Sequence, residues 1–300
     1  KIIEEKKDQN WFCWASFQDP HGPFVCPKEW FDKVDTDAMP EPLEGYREGE
    51  FDDRPDFYAK IHAANEQWGQ KSYRVEGVEL GGVYGHAEDV ENERTIMQVE
   101  AGLVGMLDHY IGEILKTLER TGQLDNTVII LTSDHGTMLG HHGLWGKGMA
   151  AYEDCQRVPF IAWGKDVKGR GVQAKLANVV DLPRTILSLC GCDIPQGMQG
   201  WDLSAYLRGE TDETAEATLI EYRASQNGPR QNTFVTDRYK MIVYHEGLEG
   251  ELYDLEEDPN QYRNLWNDSG SADVKNALVY ALCRHHLQNQ GKVHDRKTFA

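Results

Sequence analysis

The stretch from Val128 to Tyr152, VIILTSDHGTMLGHHGLWGKGMAAY, constrains this chain more than any other. It opens with the apolar, mostly β-branched run Val128-Ile129-Ile130-Leu131-Thr132. A short continuous run of this kind reads as a strand buried on both faces, as in a parallel sheet. Polarity then changes within one residue, and Ser133, Asp134, His135 and Gly136 sit where the strand ends. In open α/β sheets, ligands bind beyond the carboxyl ends of the strands. Asp134 and His135 set a hard carboxylate oxygen beside an imidazole nitrogen, which makes a corner of a metal site. Gly136 lets the backbone turn away at once. His141, His142 and Lys147 follow on a glycine-punctuated loop that can fold back over the same strand end. A lone Asp-His pair at a strand end is more often a turn with a satisfied histidine. An Asp, three His and a Lys within fourteen residues point instead to a site.

At these residues the chain resembles the sulfatase family, within the alkaline phosphatase superfamily. The resemblance runs through Ser133-Asp134-His135-Gly136, Leu139-Gly140-His141-His142-Gly143, Gly146-Lys147-Gly148, Tyr152-Glu153 and Val158-Pro159. It implies that Asp134 and His135 hold a divalent cation, most often calcium in the family, and that Lys147 contacts the sulfate. Sulfatases also carry a His-x-Pro loop whose histidine touches the sulfate. His21-Gly22-Pro23 fits, which gives His21 a catalytic and sulfate-binding role beside Lys147. His142 is placed to line the same pocket as a substrate-binding residue; packing of its own loop is the competing role.

Composition narrows the partners. The net charge of −19 argues against non-specific nucleic-acid binding. It also means that an anionic ester needs a concentrated positive spot, built from a metal ion, Lys and His. No apolar run approaches the roughly 20 residues that span a bilayer. Cys13, Cys26, Cys155, Cys190, Cys192 and Cys283 form no CxxC pair and no zinc framework, and most lie in apolar surroundings that read as buried. The chain begins at Lys1, so a compartment cannot be read from it. A periplasmic or secreted location is compatible with the family resemblance.

Taken in order, Lys1 to Gln9 reads as the tail of a helix. Trp11 to Phe17 suits a buried strand, whose exit loop carries His21. Residues 26–53 are an irregular, acidic excursion of the kind that forms lids or binding walls. Arg54 to Gly69 is helical, residues 70–86 are a glycine-rich loop, and Glu88 to Arg120 is the longest helical pattern, ended by Thr121-Gly122. Asp108 and His109 within it read as structural. Helix followed by strand is the alternation expected of a parallel sheet. A second strand at Phe160 to Trp163, a short one at Asn178 to Val180 and a helix from Leu182 capped by Asp181 follow. From about Thr211 short strands joined by tight turns read as an antiparallel meander, closed by a helix over about 273–288. The expected fold is therefore α/β: a mostly parallel sheet flanked by helices, alkaline phosphatase-like, over residues 1–210. A small antiparallel subdomain with a closing helix fills 211–300.

Hydrolysis of a sulfate ester needs charge stabilised on the non-bridging oxygens, a nucleophile, and an acid for the leaving group. Sulfatases take their nucleophile, a formylglycine, from a C-x-P-S-R motif. No such motif occurs among these residues, and Cys26-Pro27-Lys28 is only a superficial echo. The resemblance thus implies the C-terminal portion of a sulfatase, inactive alone, partnered by a missing N-terminal region of the same protein and acting on a sulfate ester, such as that of a sulfated carbohydrate. Two other readings stand beside it. One is the same portion of a phosphonate monoester or phosphodiester hydrolase, and the other is a non-catalytic protein that binds sulfated glycans.

Overall fold

The structure, a computed structural model, describes residues 1–21, 25–43, 45–64, 83–85, 90–223, 230–245, 247 and 249–290. Gly22 and Pro23 of the His21 loop, the expected helix end near Trp68, the loop at 70–82 and the turn Asn227-Gly228-Pro229 lie outside those residues.

Three short helices, α1 (Ile2–Glu5), α2 (Lys28–Phe31) and α3 (Phe57–Ala64), precede a strand β1 (Val83–Gly85) and the long helix α4 (Val90–Arg120). The 3.6-residue apolar spacing of α4 buries Leu103 and Leu118. Asp108 and His109 lie on its exposed side, with the His109 ring 5.3 Å from that of Trp30. The helix stops where Gly122 takes a φ of 69° and the Gln123 N–H returns to the Leu118 carbonyl at 2.8 Å. Trp11 donates its indole N–H to the Gln123 side chain at 2.9 Å. This ties the start of the chain to the C-terminal end of α4.

The strand β2 (Val128–Thr132) forms where the sequence predicts, but it is not buried on both faces. It pairs with β5 (Phe160–Gly164), Val128 opposite Gly164 and Thr132 opposite Phe160. This pairing is antiparallel, as is every strand pair among the described residues. The reason lies in the connection. A parallel return needs a crossover that carries the chain back along the sheet. Residues 133–159 instead fold at the strand end, as the hairpin β3 (Met138–Leu139) and β4 (Leu144–Gly146) and the single turn α5 (Glu153–Gln156), and the chain re-enters from there. One face of this ribbon is exposed at Leu131, Ile161 and Trp163.

The expected buried strand at Trp11 to Phe17 does not form. Those residues have no regular secondary structure, and Phe12 and Trp14 are 64% and 79% exposed. An apolar run becomes a buried strand only against a neighbour, and no described strand pairs with this one. Residues 178–180 are not a strand either. Asn178 and Asp181 make a reciprocal capping box around a 3-10 turn, Val179–Asp181. The Asp181 carboxylate is taken up there and by the Trp201 N–H, so it does not cap α6 (Leu182–Leu189). Of the cysteines only Cys155 is buried; Cys13, Cys190, Cys192 and Cys283 are exposed.

After α7 (Ser204–Arg208), the meander is as expected. Strands β6 (Ala217–Arg223), β7 (Arg230–Thr236), β8 (Tyr239–Tyr244) and β9 (Glu251–Asp254) lie in sequence order, all antiparallel. One face packs Phe234, Met241 and Leu252 against Leu278 and Leu282 of α8 (Ala272–Gln290). Ile242, Tyr244 and Tyr253 join a second cluster with Phe51, Tyr58, Ile61, Met138, Leu144 and Tyr152. The C-terminal sheet therefore supports the loop that follows β2. The protein is an α/β fold whose antiparallel C-terminal sheet and helix abut the strand-end region. No helix of the described residues is long and apolar enough to cross a membrane.

Candidate functional site

The end of β2 turns sharply at Gly136. Its N–H donates to the Cys155 carbonyl at 2.8 Å, and a Cβ placed there would lie 1.8 Å from the Asp154 carbonyl oxygen. Only glycine lets the two backbones meet this closely. That contact fixes Asp134 and His135 at the edge of the molecule. One Asp134 oxygen, Oδ1, accepts from the His135 N–H at 2.9 Å and from Ser133 Oγ at 3.3 Å. The other, Oδ2, lies 3.4 Å from His135 Nε2. The His135 Nδ1 is 2.8 Å from the Gly136 carbonyl. A carbonyl only accepts, so Nδ1 carries a proton, and Nε2 is the ring nitrogen turned toward Asp134. Burial alone would raise the Asp134 carboxyl; the neighbouring His135 ring and the hydrogen bonds it accepts hold it below its ordinary value.

An oxygen and a nitrogen donor thus meet within one bite, both open to solvent. The side chains are 82% and 37% exposed for Asp134 and His135 respectively. Metal-ligating histidines commonly have one ring nitrogen tied to a carbonyl in this way, which leaves the other for the ion. The pair could offer a divalent cation one oxygen and one nitrogen. Among the described residues no group of three or more His, Cys, Asp or Glu side chains is gathered that could hold a metal ion.

The hairpin places Lys147 next. Met138 pairs with Gly146, and Thr137 Oγ1 donates to the Gly146 carbonyl at 3.2 Å. Lys147 therefore leaves the hairpin opposite the residues that follow Gly136, and is half-buried. The Cys155 thiol, pushed up to about 12 mainly by burial, lies beneath it and donates to the Gly146 carbonyl at 3.6 Å; the Lys147 charge is close enough to pull the thiol back.

His142 does not line an open pocket. It is fully buried, in a left-handed conformation (φ 58°), with Nδ1 hydrogen-bonded to Glu50. Its ring lies between those of His141 and Tyr152, each centroid 3.9 Å away. Burial lowers its pKa to about 4, although Glu50 pulls the other way, so the ring is neutral at pH 7. This is the packing role of the two that the sequence left open. His141 is buried too, its Nδ1 2.8 Å from Asp154 Oδ2.

His21 is exposed, on a loop whose backbone turns through the bond from the His21 N–H to the Gln18 carbonyl at 3.1 Å. Two anchors define its path. Trp11 is tied at Gln123, and Cys26 rests against Gly102, in the middle of α4. Trp11 is thus held at the C-terminal end of α4, the end from which β2 departs.

Sequence reasoning missed the groups that hold this region in place. Arg54, fully buried, donates to Glu50 Oε1 at 2.9 Å, to the Tyr152 hydroxyl at 2.5 Å, and to the Gln261 and Tyr262 carbonyls at 3.0 and 2.8 Å. Glu251, also buried, accepts from Tyr244 and from Tyr253 at 2.5 Å. The only signal in the sequence was the motif piece Tyr152-Glu153, which marks the segment these groups grip.

The sequence model of the sulfatase family matches residues 1–192, and that of the C-terminal part of N-sulphoglucosamine sulphohydrolase matches 140–288. An N-acetylglucosamine-6-O-sulfatase of Bacteroides thetaiotaomicron is 32% identical over 197 residues, 63% of this chain and 35% of the relative. An arylsulfatase of Clostridium perfringens is 28% identical over 280 residues, 90% of this chain and 51% of the relative. The chain thus spans about half the length, or less, of these relatives. A solved phosphonate monoester hydrolase from Silicibacter pomeroyi superposes with a TM-score of 0.80 at 25% identity, covering 95% of this chain and 57% of that one. The chain belongs to the sulfatase family.

Proposed function

We propose that this chain is the metal- and lysine-bearing part of a sulfuric ester hydrolase acting on a sulfated carbohydrate. The observation that carries this is the Asp134–His135 pair, with Oδ2 and Nε2 3.4 Å apart and Nδ1 committed to the Gly136 carbonyl. When bound, a divalent cation supplies Lewis-acid stabilisation of charge on the ester's oxygens. The Lys147 ammonium adds positive charge to the same anion, on a protein of net charge −19. His21 and Lys147 are the groups able to give a proton to the departing oxygen. The hold on Trp11, upstream of His21, at the end of α4 from which β2 departs supports bringing His21 to this site. His142 acts here by holding the loop, through Glu50 and its ring stack. The sulfated-sugar class follows from the 6-O-sulfatase relative. Calcium is the ion that the family implies, but it takes 6–8 oxygen ligands. The His135 nitrogen favours a borderline ion such as zinc over it.

The nucleophile, in this reading, comes from outside these 300 residues, because they contain no C-x-P-S-R segment. The chain alone then binds metal weakly and turns over no ester. A second reading, phosphonate monoester or phosphodiester hydrolysis, is supported by the likeness to the Silicibacter enzyme over nearly the whole chain. The test assays an aryl sulfate and a phenylphosphonate monoester with the chain and with a longer polypeptide joining it to a C-x-P-S-R segment. Turnover of sulfate by the longer polypeptide only is expected. A preference for the phosphorus ester moves the assignment to the second reading. Binding of sulfated sugars without turnover by either ester would point to the non-catalytic one.

A further inference from the structure

The single turn α5 is tied to a different part of the molecule at each residue. Gln156 donates to Thr233 Oγ1 of β7 at 3.2 Å. Cys155 accepts from the Gly136 N–H through its carbonyl and donates through its thiol to the Gly146 carbonyl, one residue before Lys147. Asp154 holds His141. Glu153 takes the Lys240 ammonium of β8 at 2.5 Å and, through its N–H, the Gln261 side chain at 2.7 Å. Lys240 is fully buried, and it also donates to the Ala151 carbonyl at 3.0 Å. The turn α5 is thus the plate against which both the Asp134–His135 turn and the Lys147 strand end are set. Lys240 grips that plate from the C-terminal sheet.

Enclosing an ammonium costs several kcal/mol in desolvation, which its partners offset only when the geometry is good. Apolar side chains of similar volume fill a core as well or better. What an apolar residue cannot do is fix the Ala151 carbonyl and the Glu153 carboxylate at set distances from β8. Burial depresses the Lys240 amine, and the Glu153 charge acts against that.

We propose that Lys240 is a positioning residue of the ester site, setting the spacing between Lys147 and the Asp134–His135 turn through Glu153 and Ala151. This rests on the roles given above to Lys147 and Asp134. Displacing a substrate-holding group by about 1 Å can cost on the order of 100-fold in rate. In the longer polypeptide, Lys240→Met should therefore lower kcat/KM for an aryl sulfate by at least about tenfold at 25 °C. Its melting temperature, measured in parallel, must lie well above the assay temperature. The deciding readout is a double-mutant cycle with Lys147→Ala. If Lys240 acts by placing Lys147, the double variant loses no more than Lys147→Ala alone. A merely structural role predicts that the two losses multiply. Glu153→Gln, which keeps the Lys240–Ala151 bond, is the milder second arm. It should show a smaller loss with the same coupling, and it carries the cycle if Lys240→Met does not fold. Multiplying losses, or a folded Lys240→Met with unchanged kcat/KM, overturn the inference alone. A wild-type polypeptide that hydrolyses neither ester overturns it together with the functional reading.

Discussion

Arg54 gives the sharpest test of how the strand-end region is held. Its guanidinium is enclosed and makes bonds to Glu50, Tyr152, Gln261 and Tyr262. Its charge also faces Glu251, whose carboxyl is raised by burial but drawn back down first by Arg54 and then by the tyrosine hydroxyls. Arg54→Met keeps much of the volume and leaves Glu50 and Glu251 without their cation. Breaking a buried pair by removing one partner costs about 3–5 kcal/mol. For a chain of this size that lowers the melting temperature by on the order of 10 °C. Urea denaturation followed by tryptophan fluorescence should show a lower midpoint at unchanged slope. Adding Glu50→Gln removes one of the abandoned charges, so the double variant should recover part of the loss rather than deepen it. A loss below about 1 kcal/mol for Arg54→Met, or a double variant equal to the sum of the singles, would refute this view of the network.

Stability should also depend on pH through His142. Above pH 6.5 the ring is neutral folded and unfolded; between 6.5 and about 4 the unfolded chain takes up the proton first. The His142 contribution to stability therefore falls with falling pH over that window, by about 3 kcal/mol, and this component should be missing from the profile of His142→Asn; a variant profile parallel to the wild type in denaturant titrations from pH 7 to 4 would count against it. Gly136→Ala should cost more than an ordinary surface change and weaken metal binding, since its Cβ meets the Asp154 carbonyl; calorimetric titration giving wild-type affinity would contradict the backbone contact. His135→Asn should shift the metal preference from zinc toward calcium, measured by competition in the same titration. An unchanged order of affinities would show that His135 is not a ligand.

The strand end that carries the candidate site was legible because it is local. The run from Val128 to Thr132 and the polar break at Asp134 are adjacent in sequence, and the strand end puts them at the edge whichever way the neighbour runs. The C-terminal meander was legible for the same reason, since its turns and strands are contiguous. The direction of the β2–β5 pair was not. It depends on how residues 133–159 fold, and alternating helix and strand patterns cannot show that the connection stays at one end. Trp11 to Phe17 misled because an apolar run specifies that a strand can be buried, not that a partner is present. Glu50, Arg54 and Lys240 were invisible for a third reason. Charged residues read as surface until their partners are known, and here the partners lie 92 positions away for Glu50–His142 and 89 for Lys240–Ala151.

The central claim is that Asp134 and His135 hold a cation and Lys147 holds the ester's anion in one site. Its most direct test is to compare Asp134→Ala and Lys147→Ala in the longer polypeptide carrying a C-x-P-S-R segment. Metal content, by mass spectrometry of the purified protein, is read alongside aryl sulfate turnover. Asp134→Ala should lose both the metal and nearly all turnover. Lys147→Ala should keep its metal and lose turnover by on the order of 100-fold, the scale for removing one charge-stabilising donor. An Asp134→Ala protein that retains its metal, or a Lys147→Ala protein with wild-type turnover, would contradict the claim.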